Sequence, residues 1–248
     1  MKENAGSIKI QQSVADFYET HGADFAQTRG RGWGVMRLVQ EAAKPGMTVI
    51  DVGAGNARLA DVLPANVRYV GIEPSSTLRA ASEHRLTTRG NAEMRPGGFP
   101  SLPAKDAEAD VIACLAVFHH LATSDERSHP DLASGRATHE LARITKPGGI
   151  AIVTVWNLRG TRMFSLKTWA AAWLRLPFVR GGGFGDVWIP WNANGAAARR
   201  FVHAFTLKEF TSVFDPKEWN IERAEPWGSD APTSIFCARN LVVVARRR

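Results

Sequence analysis

Cysteine is scarce in this 248-residue chain: Cys114 and Cys237 are the only two, both in strand-like runs, and neither has metal-ligand spacing. A disulfide framework is excluded, and buried, reduced thiols are expected, as suits a cytoplasmic protein. Long apolar stretches are missing too. No run approaches the roughly 20 residues that cross a bilayer, and the opening Met1-Lys2-Glu3-Asn4-Ala5-Gly6 carries no apolar leader core. No membrane association and no bound metal are therefore expected. Internal repeats and low-complexity blocks are absent, which excludes solenoids and linker arrays. Acid is the scarcer charge, with 24 Asp and Glu against 31 Lys and Arg, net +7.

What is present is a strand that runs into a glycine turn, Val49-Ile50-Asp51-Val52-Gly53-Ala54-Gly55-Asn56. Gly-x-Gly after an apolar strand lets the backbone bend tightly, with main-chain N–H groups expected to face a ligand and a helix opening near Asn56. A second strand, Tyr69-Val70-Gly71-Ile72-Glu73, ends on an acid placed to accept both hydroxyls of a ribose. The dinucleotide fingerprint lacks its third small residue here, because Gly55-Asn56-Ala57-Arg58 puts an arginine in that place. Alone, Gly-x-Gly is more often a mere turn. Followed by Glu73 and by the Lys146-Pro147-Gly148-Gly149 turn before a later strand, it marks an adenosine-cofactor site.

Apolar runs alternate with helical ones. The pattern predicts strands near 47–52, 67–73, 88–91, 109–115 and 149–156, and helices at 56–63, 75–86 and 135–144. That alternation means an α/β fold with a doubly wound, mostly parallel seven-stranded sheet, closed by a helix near 206–214 and strands 218–227 and 234–245. Residues 1–248 read as a single domain, with 1–45 as an N-terminal helical cap broken at Gly30 and Gly32. The stretch 123–131 is a long loop without an assigned role. From 157 to 205 the pattern lapses into a loop-rich insertion with one short helix around 165–175. This insertion holds seven basic residues (Arg159, Arg162, Lys167, Arg175, Arg180, Arg199, Arg200) against one acid, Asp186, and also carries Trp169, Trp173, Trp188 and Trp191. Basic groups interleaved with aromatics suit a nucleic-acid strand, although a charge excess alone is more often a solvated face.

The run Asp51–Asn56 together with Glu73 resembles the class I S-adenosylmethionine-dependent methyltransferases over roughly the whole chain. The resemblance implies S-adenosylmethionine as cofactor, held by Asp51, Gly53, Ala54, Gly55, Asn56, Glu73, Pro74, Asn91, Ala92 and Ala116. Asn91 stands where the family usually has an acid near the adenine amine, leaving that contact open among Asn91, Ala92 and Glu93. A narrower set of matches resembles the tRNA wobble-uridine carboxymethyl methyltransferases. It comprises Asp16-Phe17-Tyr18-Glu19, Phe25-Ala26-Gln27-Thr28-Arg29, Trp33, Ala116-Val117-Phe118-His119-His120-Leu121, Val155-Trp156, Ile189-Pro190-Trp191 and Arg199-Arg200-Phe201-Val202-His203-Ala204-Phe205. This resemblance implies methyl esterification of 5-carboxymethyluridine in the anticodon, tRNA as partner, and a small activator protein as a possible one.

Methyl transfer from a sulfonium is an in-line displacement, and a carboxylate acceptor is already ionised at neutral pH. Such an acceptor needs a cation to orient it rather than a base. Arg29 is the candidate cation, and His119 and His120, after a buried strand, are the other catalytic candidates. Trp156, Trp191, Arg199, Arg200 and His203 are the candidate substrate-facing set. A small-molecule methyltransferase with the insertion as a lid, or an RNA-binding relative without turnover, are the alternatives.

Overall fold

The computed structural model describes residues 5–27, 33–121, 133–160, 170, 174, 185–193 and 196–248. Nine strands are found among them: β1 (Thr48–Val52), β2 (Arg68–Glu73), β3 (Ala92–Pro96), β4 (Ala109–Leu115), β5 (Thr145–Trp156), β6 (Asp186–Ala193), β7 (Ala196–His203), β8 (Trp219–Trp227) and β9 (Asn240–Arg247). The helices are α1 (Ala5–Gln27), α2 (Met36–Ala42), α3 (Ser76–Leu86), α4 (Ala133–Ile144) and α5 (Leu207–Ser212). Seven strands form one sheet in the order β3-β2-β1-β4-β5-β9-β8. The first five run parallel, β9 runs antiparallel to them, and β8, antiparallel to β9, returns to their direction. This is the mostly parallel, doubly wound sheet that the alternation implied.

Val49, Ile50, Val70, Ile72, Ile112, Ala113, Ile152 and Val153 are all buried, as expected of strands covered on both faces. One core cluster gathers Ile50, Ile112, Leu141, Val153 and Phe210; the other gathers Val49, Tyr69, Val39, Leu59 and Val242. From β1 the chain winds outward through β2 to β3, then returns to place β4 on the other side of β1. That reversal opens a crevice beyond the carboxyl ends of β1 and β4, where ligands bind in such sheets. A Cβ placed on Gly53, just past β1, would come within 2.3 Å of Val117 Cγ2, just past β4. The two strand ends thus meet at the crevice floor.

Several expectations are corrected. The helix foreseen at 56–63 is a single 3-10 turn, Arg58–Val62, because Ala57 enters it in the left-handed region (φ 58°) and Pro64 follows its end. The third strand falls at Ala92–Pro96 instead of 88–91. Its predicted place is a turn in which Arg89 donates to the carbonyls of Ala60, Leu63, Pro64 and Val67. The last strand starts at Asn240, because Asn157 Nδ2 holds the carbonyls of Ile235 and Ala238 in a loop. Cys237, in that loop, is exposed, whereas Cys114 in β4 is buried and its thiol pushed well up by burial.

The largest correction lies in the insertion. Where a loop was expected, β6 and β7 form an antiparallel hairpin, with Pro190 opposite Arg199. A two-stranded ribbon has a free edge on each strand, so a proline without an N–H is accommodated. Val187, Ile189, Val202 and Ala204 pack on Trp156 and Leu158, and Phe201 packs on Ile10 of α1. The hairpin is therefore seated between the carboxyl edge of the sheet and α1. The helix expected around 165–175 lies outside the described residues except at 170 and 174, which are helical. The 123–131 loop, Gly30 and Gly32 also lie outside them.

Candidate active site

The crevice has a cofactor end and an acceptor end. At the cofactor end, Glu73 is buried at the tip of β2, where Gly55 N–H donates to Oε2 at 2.9 Å and Ser75 N–H to Oε1 at 3.0 Å. Each carboxylate oxygen keeps a lone pair beyond its backbone bond, so the group can still accept two vicinal hydroxyls. Burial pushes the Glu73 carboxyl up, opposed by the Ser75 and Gly55 bonds. The N–H groups of Gly53 and Ala54 both reach Ile72 O, at 2.8 and 3.1 Å. They brace the turn against β2, which corrects the expectation that they face a ligand. Gly53 and Gly55 both have positive φ, 71° and 57°, and a Cβ on Gly55 would meet nothing within 4 Å. The turn is thus held on one side and open on the other.

Asp51 is also buried and accepts a hydrogen bond from Tyr69 Oη at 2.9 Å. Burial lifts its carboxyl to about 7, with the Tyr69 bond opposing and the Glu73 charge adding. Asn56 is buried and turns toward α1, its Nδ2 3.5 Å from Ala26 O. Pro74 accepts from Arg79 Nη1 through its carbonyl, and its ring lies 3.7 Å from where a Cβ on Gly98 would sit. Asn91 and Ala92 do not join this site. They stand at the entry of β3, where Asn91 Nδ2 donates to Ala65 O and Val67 O, at the opposite end of the sheet. Register pairs Glu73 with Pro96, so Gly97 and Gly98 are the residues that reach the crevice from β3. The Gly97-Gly98 pair was the missed sequence signal.

At the acceptor end, Ala116 adopts φ 62° and its N–H bonds to Thr154 O and Thr154 Oγ1. This turns the chain into the 3-10 turn Phe118–His120, which buries both histidines. His120 Nδ1 lies 2.7 Å from Phe201 O and its Nε2 2.9 Å from Tyr18 Oη. A carbonyl only accepts, so Nδ1 carries the proton, and Nε2 of the neutral ring accepts from Tyr18. His119 Nδ1 accepts from Trp156 N–H at 3.3 Å, which leaves the proton of its neutral ring on Nε2. His119 stacks on Trp156, with centroids 4.5 Å apart. In these states neither ring presents a vacant basic nitrogen.

Beside them Arg200, 5% exposed, is enclosed by aromatic rings. Its guanidinium carbon lies 4.8 Å from the Trp156 centroid, 4.8 Å from Trp191 and 5.2 Å from Phe17. Nη1 reaches Tyr18 Oη at 3.5 Å. Four elements supply this cage: α1, β5, β6 and β7. Arg199, the neighbour of Arg200 on β7, is exposed. His203, by contrast, is fully buried, with Nδ1 2.6 Å from Asp186 Oδ1 and Nε2 3.0 Å from Glu209 Oε1. It ties the hairpin to α5 and faces no substrate, which corrects its place in the substrate-facing set. Arg29 lies outside the described residues. Phe17 and Tyr18, named from sequence only within a run that resembles the family, are the cage residues that were missed.

Residues 50–153 match the family model of a methyltransferase domain. Among curated relatives, a tRNA (carboxymethyluridine(34)-5-O)-methyltransferase of Arabidopsis thaliana is 27% identical over 152 residues, covering 61% of this chain and 34% of that protein. The chain spans about a third of the length of the tRNA methyltransferase relatives it matches. Among solved structures, a 1,6-didemethyltoxoflavin-N1-methyltransferase of Burkholderia thailandensis, with S-adenosylhomocysteine bound, gives a TM-score of 0.63 at 14% identity, covering all of this chain and 92% of that one. A complex of the Haloferax volcanii Trm112 methyltransferase activator and a methyltransferase gives 0.60 at 16% identity, covering 94% and 97%.

The chain thus has the fold of the S-adenosylmethionine-dependent methyltransferases, and its residues 50–153 match a methyltransferase domain. The residues present fit that cofactor: Glu73 retains acceptor capacity for a ribose, and the open face of Gly55 admits close approach. Among the described residues there is no cluster of His, Cys, Asp or Glu that could hold a metal ion, and no helix long and apolar enough to cross a membrane.

Proposed function

We propose that this chain methylates the carboxylate of a carboxymethyl group on a wobble uridine of tRNA, giving the methyl ester. The observation that carries the reading is the acceptor end: a buried guanidinium, Arg200, among Phe17, Trp156 and Trp191, next to His120, engaged at both ring nitrogens, and His119, whose basic Nδ1 is engaged. S-adenosylmethionine, when bound, supplies an electrophilic methyl. An acceptor that is already an anion gives up no proton on methylation, so the site needs charge and alignment rather than a base. A guanidinium meets a carboxylate with paired N–H donors, and the rings around it lower the local dielectric and strengthen that bond. Arg200 takes the orienting role in this reading, with His119 Nε2–H as a second donor.

The tRNA component is supported by the relative's name, by the exposed Arg199 on β7 and by the basic excess between 157 and 205. That insertion, with the 1–45 cap, is the substrate-facing part of one catalytic domain in this proposal, and the protein acts in the cytoplasm. The test is a pair of synthetic anticodon stem-loops, one carrying 5-carboxymethyluridine and one plain uridine, each incubated with methyl-labelled S-adenosylmethionine. Label only on the carboxymethyl substrate supports the reading; label on neither, with a free carboxylic acid methylated instead, would move the function to a small acceptor.

A further inference from the structure

We propose that Tyr18 is a positioning residue that joins the acceptor end of the crevice to the cofactor end, an inference that rests on the methyltransferase reading of the acceptor cage. Tyr18 lies on α1, and polar contacts made by this one residue reach both ends of the site. Its hydroxyl meets His120 Nε2 at 2.9 Å and Arg200 Nη1 at 3.5 Å. Its carbonyl accepts from Ser75 Oγ at 3.2 Å, and Ser75 N–H in turn holds Glu73 Oε1 at 3.0 Å. The path from the ribose acid to the cage guanidinium therefore passes through Ser75 and Tyr18.

Proton positions follow from chemistry along this path. Phe201 O accepts from His120 Nδ1–H, so His120 Nε2 takes the Tyr18 hydroxyl proton. The Tyr18 oxygen is then left to accept from Arg200, which only donates. Phe201 O thus sets the tautomer of His120, and the Tyr18 hydroxyl caps its second nitrogen and steadies the guanidinium that orients the acceptor. Its ring stacks edge-on to His120 (5.6 Å) and to Phe17 (5.2 Å), which holds the hydroxyl in place. The next residue, Glu19, anchors the same turn of α1: its carboxylate accepts from Ser76 N–H at 2.8 Å and from the Ser76 hydroxyl, at the start of α3. Those bonds hold the Glu19 carboxyl down at about 2. The α1 turn is thereby clamped to the cofactor side, and Tyr18 extends from it into the acceptor side.

The test is Tyr18→Phe in the full chain, which keeps the ring and removes only the hydroxyl. Two readouts are taken. In nitrogen-15 spectra of histidine-labelled protein, His120 of the parent shows one tautomer with the proton on Nδ1; in the variant the Nε2 signal shifts because that nitrogen loses its donor, with the proton still on Nδ1. In turnover, KM for the carboxymethyluridine stem-loop rises about tenfold, the loss of one hydrogen bond to a charged group, while affinity for S-adenosylhomocysteine stays within about twofold. A His120 spectrum identical to the parent overturns the proposal whatever the activity, and so does a shifted spectrum with an unchanged KM. A parent chain that methylates no stem-loop would fail the functional reading alone, and the spectrum would still decide the role of Tyr18.

Discussion

The guanidinium carbon of Arg200 lies 4.8 Å from the ring centroid of Trp156, joining the outer hairpin to the carboxyl end of the central sheet. Arg200 sits on β7 and Trp156 closes β5, so this contact exists only when the hairpin is seated. It makes Arg200 the most informative position for substitution. Arg200→Lys keeps the charge but loses the planar fork, and should lower kcat/KM for a carboxylate acceptor by about 10- to 100-fold, the scale of one or two charge-assisted hydrogen bonds. Cofactor affinity, read by calorimetry, should not move. Equal losses in both would mean that Arg200 only supports the fold.

Glu73 offers a complementary test at the other end. Glu73→Ala removes the acceptor for the ribose and frees the Gly55 and Ser75 N–H groups it now holds. The expected outcome is S-adenosylhomocysteine binding weakened by about 1.5–3 kcal/mol, with acceptor affinity unchanged. Titration calorimetry on a folded variant decides it.

The buried Asp51 predicts a pH dependence of stability. Its folded-state value is raised to about 7 from an ordinary 3.8, so between those values the folded protein binds more protons than the unfolded one. Stability of the cofactor-free protein should therefore fall as pH rises from about 4 through about 7, as far as this group contributes. Asp51→Asn should flatten that part of the curve in urea melts at a series of pH values; an unchanged slope would assign it to other groups.

His203 should behave as a structural residue. His203→Ala removes the His203 contact from the fully buried Asp186 carboxylate, a loss of about 3–5 kcal/mol. The melting temperature should drop sharply. At a temperature where the variant is folded, its affinity for tRNA should match the parent, which a direct contact with RNA would not allow.

The central strands were readable from sequence for a physical reason: a parallel strand buried on both faces is a near-continuous apolar run, broken only by Asp51 in Val49–Val52 and by Thr154 in Ile150–Val155. The place of Glu73 at a strand tip was readable because it directly ends the apolar run Tyr69–Ile72. The acceptor cage was only partly readable. Trp156, Trp191 and Arg200 could be named as candidates, but their convergence with Phe17 and Tyr18 is set by a hairpin whose Ala196-Ala197-Ala198 and Pro190 show no strand alternation. Asn91 was misplaced because the start of β3 was set too early, which moves a residue from one end of the sheet to the other. His203 looked like a surface contact because Asp186 and Glu209 lie far from it along the chain or across a turn.

The outer strand β3 bears on the activator question. Its Glu93 and Arg95 are engaged in a four-membered ion-pair network with Arg68 on β2 and Glu108, just before β4. Charges on an edge discourage strand addition by a partner. The purified chain should accordingly transfer methyl on its own; activity seen only after adding a second purified subunit would contradict this.

Carboxylate methylation in tRNA is decided by the chemical identity of the product. The chain is incubated with methyl-labelled S-adenosylmethionine and bulk tRNA, the RNA is digested, and labelled nucleosides are identified by mass before and after mild alkali. The expected product is a labelled carboxymethyluridine methyl ester whose label alkali removes as methanol. Alkali-stable label on a base or ribose would contradict it, and would leave Arg200 with a role other than holding a carboxylate.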